Sequence, residues 1–152
     1  MILSPIKGEL VNIKTIDDHV FSQELLGKGI AIEPSIGSIY APFDGTVAML
    51  FHTSHAIGLV SDENLEMLIH IGIDTVNLAG KHFYPKVKSN DKFKQGDLLI
   101  EFDIEKIKEE GYAITTPIII TNLDNFDVAC VENSQHIELD DSIFVVNKKG
   151  VK

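Results

Sequence analysis

Arginine is missing from the chain: all 13 basic residues are lysine, set against 23 acidic residues, for a formal charge of −10 over 152 residues. A bidentate guanidinium fork is the usual grip on phosphate, and nucleic-acid binding needs a basic face. Nucleic acid is therefore excluded as a partner. Any phosphate handled here has to be held by lysine, histidine, hydroxyl or backbone N–H groups, and an acidic surface suits a basic protein partner. Cysteine is almost absent as well. Cys130 stands alone, which rules out an intrachain disulfide and fits a reducing cytosol. The opening MILSPIKGEL lacks the roughly 7–15-residue apolar stretch of a secretory signal, and no run approaches the roughly 20 apolar residues of a membrane span. The expectation is a cytoplasmic chain that does not itself insert into a membrane.

What is present is the balance of a globular protein, 44% apolar and 24% charged, with a length that fits one domain spanning residues 1–152. Turn signals recur at Pro5–Gly8, Pro34–Gly37, Pro42–Gly45, Asp62–Asn64, Asn77–Gly80, Ser89–Asp91, Gln95–Asp97 and Asn122–Asn125. Short segments rich in Val, Ile and Phe lie between them, the pattern of an all-β antiparallel sandwich. One helix is expected over Ile104 to Glu110, capped by Asp103, with Ile107 inward and Gly111 just past its end. Two internal echoes suggest pseudo-symmetry. Ser4-Pro5-Ile6-Lys7-Gly8 resembles Ala41-Pro42-Phe43-Asp44-Gly45, and Gly96-Asp97-Leu98 resembles Asp140-Asp141-Ser142.

Of the six histidines, at 19, 52, 55, 70, 82 and 136, two can be placed by register. A hairpin turn at Asp62-Glu63, or at Ser61 to Asn64 with Asn64 left-handed, sets Val60 against Leu65, Gly58 against Met67, Ala56 against Ile69 and His55 against His70. Directly opposed residues share a face with Cβ atoms about 4.5–5.5 Å apart. The period of two puts Leu65, Met67, Ile69, Ile71 and Ile73 in the core. It leaves His70 beside His55 in a rim of Phe51, Ile57 and Leu68, with Thr53 and Asp74 adjacent. An apolar ring around two histidines suits a docking surface. The other four histidines read as surface residues.

A neutral imidazole is a nucleophile. One ring can attack phosphorus while the other donates a hydrogen bond to the phosphoryl oxygens, stabilising charge without arginine, and Thr53 can orient that second ring. Zinc is the competing chemistry, but it wants three or four protein ligands. Asp74 is the one further candidate, and the sequence has no His-x-His element.

Leu68-Ile69-His70-Ile71-Gly72-Ile73-Asp74-Thr75-Val76, preceded by Thr53-Ser54-His55-Ala56, resembles the glucose-type enzyme IIA family of the bacterial phosphoenolpyruvate:sugar phosphotransferase system. Gly27-Lys28-Gly29-Ile30-Ala31-Ile32, Ala41-Pro42-Phe43-Asp44-Gly45 and Glu101-Phe102-Asp103 match as well. Gly80-Lys81-His82-Phe83, and Gly111-Tyr112 with Thr115-Thr116-Pro117, are closer to the IIA domains of β-glucoside and sucrose permeases. The resemblance implies an all-β fold, an antiparallel β-sandwich or flattened barrel of duplicated hybrid-motif type, with one or two short helices. It implies that His70 is phosphorylated at Nε2, that His55 donates to the phosphoryl group, that Thr53 supports His55, and that the Gly72 carbonyl fixes the His70 tautomer. Asp18, Phe51, Ile57, Leu68, Asp74 and Val76 would meet partners, with Asp18 and Asp74 facing arginines of the phosphocarrier HPr. No cofactor or metal is implied. The phosphoryl group would pass from HPr to a cysteine of a sugar-specific IIB domain, the chain being free in the cytoplasm or tethered to the inner membrane face within a larger permease. A regulator that binds permeases or kinases according to its phosphorylation state is the alternative. Asn64 stands where the family usually has glycine, and Ile57 and Leu68 stand where the free glucose protein has phenylalanine.

Overall fold

The computed structural model describes residues 1–16, 27–131 and 136–149. Its strands are β1 (Ile2–Leu3), β2 (Gly8–Val11), β3 (Lys28–Pro34), β4 (Ser38–Tyr40), β5 (Gly45–Leu50), β6 (Ala56–Ser61), β7 (Glu66–His70), β8 (Phe83–Pro85), β9 (Lys92–Phe93), β10 (Leu98–Phe102), β11 (Thr116–Ile120), β12 (Phe126–Cys130), β13 (His136–Ile137) and β14 (Ser142–Lys148). One helix, α1 (Ile104–Glu109), and 3₁₀ turns at Ile13–Thr15 and Thr75–Leu78 complete the described elements. Every strand pairing is antiparallel. The strands form an eight-stranded sheet, β13-β2-β3-β11-β7-β6-β5-β9, and two three-stranded sheets, β1-β14-β12 and β4-β10-β8. The chain is all-β and antiparallel, and its sheets do not close into a barrel.

The order of the large sheet is a palindrome under the exchange of β13 with β9, β2 with β5, β3 with β6 and β11 with β7, and the same exchange maps one small sheet onto the other. The correspondence reaches individual hydrogen bonds. Ser4 N–H donates to the Asp141 carbonyl at 2.9 Å and Ala41 N–H to the Asp97 carbonyl at 2.8 Å. The Asp97 and Asp141 carboxylates each accept a backbone N–H, from Lys94 and Glu138, at 2.8 Å. The ladder of β1 with β14 slips between Ile2 and Leu3, and that of β4 with β10 slips at the matching place, between Leu98 and Ile100. The two echoes in the sequence mark this pseudo-two-fold.

The large sheet is covered on both faces. Ile30, Ile32, Ile57, Leu59, Met67, Ile69, Ile118 and Ile120 point into the main core, while Ala31, Ile119 and the half-buried Leu68 join Ile13, Ile16 and Ile73 in a smaller cluster on the other face. That double cover explains why β11, which ends in three consecutive isoleucines, is buried at all five positions. Helix α1 forms as expected. The Asp103 side chain accepts from Lys106 N–H at 3.1 Å, and Ile107 is buried. Gly111, at φ +92°, closes the helix with Gly111 N–H to the Lys108 carbonyl and Tyr112 N–H to the Ile107 carbonyl, at 2.9 and 3.3 Å.

Candidate functional site

The β6–β7 hairpin differs from expectation by one residue. Ala56 pairs with His70, Ile57 with Ile69, Gly58 with Leu68, Leu59 with Met67 and Val60 with Glu66. The loop has neither two nor four residues but three, Asp62 to Asn64: Ser61 N–H donates to the Leu65 carbonyl and Asn64 N–H to the Ser61 carbonyl, both at 2.9 Å. Asn64 sits at φ +71°, which makes this a turn followed by a left-handed residue, a common three-residue connection. The Ser61 hydroxyl selects it by accepting from Glu63 N–H at 3.2 Å and Leu65 N–H at 3.0 Å. The shift carries Ile57 from the expected rim into the core, where it is fully buried.

His55 and His70 nonetheless meet, with ring centroids 4.9 Å apart and planes at 80°. His55 lies outside β6, directly after Ser54 at φ +59°, so strand alternation does not govern its side chain. The Phe51–Ala56 loop is closed by Phe51 N–H to the Ala56 carbonyl at 3.1 Å and by Ser54 N–H to the Phe51 carbonyl at 2.7 Å. It puts the buried Thr53 hydroxyl 2.5 Å from His55 Nδ1. The Phe51 ring stands edge-on to His55 at 5.6 Å, and the backbone ladder continues one step past the strands through Ile71 N–H to the His55 carbonyl at 2.7 Å.

His70 ends β7, half-buried, and its Nδ1 is 2.7 Å from the Gly72 carbonyl. A carbonyl can only accept, so Nδ1 carries the proton and Nε2 is the unprotonated, nucleophilic nitrogen. Gly72 is at φ +77°, and a Cβ there would lie 2.6 Å from Thr75 Cγ2 and 2.7 Å from the Ala113 carbonyl oxygen, so only glycine delivers this carbonyl to the ring. His55 is only 4% exposed. Burial first, then the neighbouring His70 and His52 rings, push its pKa down to about 4, and the ring is neutral at pH 7. A Thr53 hydroxyl donating to Nδ1 leaves the proton of His55 on Nε2. The pair thus offers one nitrogen that can attack phosphorus and one N–H that can stabilise the charge gathering on phosphoryl oxygens.

Of the expected rim, Phe51 stands against His55 and Leu68 shares the His70 face of β7, while Asp74 and Val76 lie in the loop that follows His70. Phe51 and Val76 are exposed, at 37% and 48%, Asp74 is exposed at φ +61°, and Leu68 is half-buried. Asp18 and His19 lie outside the described residues. Met49 is a rim residue the sequence reading missed. It is 54% exposed and shares a row with Gly58 and Leu68, because β5 slips its register between Val47 and Met49. Such a bulge re-aims side chains and leaves no periodicity signal. Gly58, with no side chain between Met49 and Leu68, keeps the surface shallow. His52 and His136 are exposed as expected, whereas His82 is partly covered by its pairing with Glu110. Among the described residues no group of three or more His, Cys, Asp or Glu side chains could hold a metal ion, and no helix is long and apolar enough to cross a membrane.

The family model for the phosphoenolpyruvate-dependent sugar phosphotransferase system, EIIA 1, matches residues 1–126. The PTS system beta-glucoside-specific EIIBCA component of Dickeya chrysanthemi is 51% identical over 125 residues, covering 82% of this chain and 20% of that protein. Its counterpart in Bacillus subtilis strain 168 is 42% identical over 147 residues, 97% of this chain and 24% of that one. The chain thus spans about a fifth to a quarter of the length of these relatives. It is also 46% identical over 125 residues to the PTS system glucose-specific EIIA component of Buchnera aphidicola subsp. Acyrthosiphon pisum, covering 82% of this chain and 78% of that protein. In three dimensions it superposes on glucose permease IIA from Mycoplasma capricolum with a TM-score of 0.85 at 30% identity, covering 95% and 93% of the two chains. The family match over most of the chain, the relatives that share it and the common fold together show that this chain belongs to the EIIA 1 family of the sugar phosphotransferase system, whose components transfer phosphoryl groups.

Proposed function

We propose that residues 1–152 work as one EIIA domain in which His70 carries the phosphoryl group from phospho-HPr to a cysteine of a IIB domain. The observation that carries this reading is the Nδ1–H of His70 held on the Gly72 carbonyl at 2.7 Å, which commits Nε2 to nucleophilic attack. The Nε2 lone pair forms an N–P bond as the N–P bond of the donor phosphohistidine breaks, and the bonding pair leaves with the donor imidazole. His55 Nε2–H donates to a phosphoryl oxygen throughout. In the second half-reaction a IIB thiolate attacks the same phosphorus, an S–P bond forms, and the electron pair of the broken N–P bond returns to Nε2 of His70.

With no arginine in the chain and a charge of −10, the cations that neutralise the moving phosphoryl group arrive with the partner, as in other transfers assisted in trans. Asp74 orients that basic partner, and Phe51, Leu68, Val76 and Met49 give it apolar contact. The EIIBCA architecture named for the β-glucoside relatives supports IIB as acceptor and a place on the cytoplasmic side of the membrane. The sugar specificity named for each relative is its own, because the proposed reaction on this domain touches only proteins. Incubation with phospho-HPr should give an acid-labile label on the wild type and none on His70→Ala. His55→Gln should accept the label but pass it to IIB about 10²–10³-fold more slowly, the usual effect of losing one transition-state donor. A label persisting on His70→Ala would overturn the assignment.

A further inference from the structure

The loop that follows the nucleophile, residues 71–82, carries Gly72, Asp74 and Val76, and its backbone is unusual. Gly72, Asp74, Ala79, Gly80 and His82 all have positive φ, a conformation that glycine adopts freely, that aspartate and histidine adopt more readily than most residues, and that alanine seldom adopts. Within the loop the hydrogen bonds are short-range: Asn77 N–H to Asp74, Ala79 N–H to Val76, Lys81 N–H to Leu78. They shape the loop without tying it to anything else. The buried Ile71, Ile73 and Leu78 pack its apolar side and Ile71 N–H ties its start to the His55 carbonyl; the polar ties of its far end come from the ends of α1. His82 bridges both caps of that helix, its carbonyl accepting from Asp103 N–H at 3.0 Å and its Nε2 pairing with the carboxylate of Glu110. Lys81 Nζ adds a second contact to Glu110 at 3.4 Å. At the other end of the loop, Ile73 N–H donates at 3.0 Å to Ala113, just beyond Glu110. Next to Glu110, then, one stretch of chain grips the loop on the His70 side and on the His82 side.

We propose that Glu110 is a positioning residue for the phosphorylation site: by pairing with His82 it anchors the loop that presents Gly72 to His70 and Asp74 and Val76 to the partner. This rests on the reading of His70 given above. Glu110 touches none of the reacting atoms. The contact with His82, and then that with Lys81, holds its carboxyl below the usual carboxylate range. The helix does not depend on that carboxylate, because its end is closed by the backbone bonds of Gly111 and Tyr112. Glu110→Gln should therefore fold.

The test uses Glu110→Gln, His82→Gln and the double variant, with two readouts. Amide hydrogen exchange at Ile73, Asn77 and Asp103 should speed up by about tenfold in each variant while Ile69 and Ile118 stay as protected as in the wild type, the pattern of a local opening. Phosphorylation by phospho-HPr should show KM raised about threefold with kcat within about twofold, the mark of lost docking rather than lost chemistry. The double variant should be no worse than either single one, because both remove the same contact. Unchanged exchange in the loop would overturn the proposal, and so would faster exchange with KM unmoved. If the wild type itself takes no label from phospho-HPr, the carrier reading fails, and the exchange measurement still decides whether Glu110 anchors the loop.

Discussion

Acidification should weaken the fold through His55, and the size of the effect follows from its burial. The ring is 4% exposed and its pKa is lowered from 6.5 to about 4, so between those values the unfolded chain binds a proton that the native chain refuses. Stability rises with pH wherever the unfolded state holds more protons. It must therefore fall as pH drops through 6.5 toward 4 and level off below. Integrating the two titrations, His55 alone removes about 2 kcal/mol between pH 7 and pH 5, approaching about 3 kcal/mol at pH 4. Other groups are shifted too, the carboxyls of Glu110 and Glu138 held low by His82 and His136 and His136 held high by Glu9 and Glu138. They are common to wild type and His55→Gln. The difference between the two proteins in urea denaturation at pH 7, 6 and 5 isolates His55: the stability of the variant relative to wild type should rise by about 2 kcal/mol across that range. Parallel curves for the two proteins, or a ¹³C or ¹⁵N titration of the His55 ring centred above pH 6, would refute the reasoning.

Gly72→Ala should destabilise the protein by about 1–3 kcal/mol, since a Cβ must enter space held by Thr75 and the Ala113 carbonyl at a positive φ; urea unfolding measures the loss, and an unchanged midpoint would show that the close approach is not real. Thr53→Val keeps the shape and removes the hydroxyl beside His55 Nδ1, leaving a buried ring nitrogen unpaired at about 1–3 kcal/mol. Ring ¹⁵N shifts should show His55 losing its single Nε2–H tautomer while His70, held by Gly72, keeps its own.

How much of this was legible in the sequence depended on whether the controlling interaction was local. Helix α1 could be read residue by residue because Asp103, Ile107 and Gly111 act within one or two turns. The left-handed Asn64 was legible for the same reason. The register of β6 on β7 was not, since it hinged on the Ser61 hydroxyl choosing a three-residue loop, and one step of register sent Ile57 to the core. His55 still reached His70 because a loop with Ser54 left-handed, rather than strand pairing, aims it. Met49 was hidden behind a bulge, which erases the period of two that any strand argument relies on. The paired Pro-x-x-Gly echoes, by contrast, marked a symmetry that the hydrogen bonds of Ser4 and Ala41 carry out.

That symmetry means the chain is wired as a tandem repeat read from a shifted start. β4 to β10 form one copy without interruption, whereas the other copy is split, β1 to β3 coming before it and β11 to β14 after. Met1 and Lys148 line the same cleft, so a short linker can join the two pieces of the split copy. Opening the chain instead at the exposed Ser35–Gly37 bend would yield a circular permutant whose halves run consecutively. In it each three-stranded sheet would be built within its own half, and only β7 with β11 would still pair across the dyad. The histidine pair, lying wholly inside the β4 to β10 copy, would keep its geometry in such a rewired molecule.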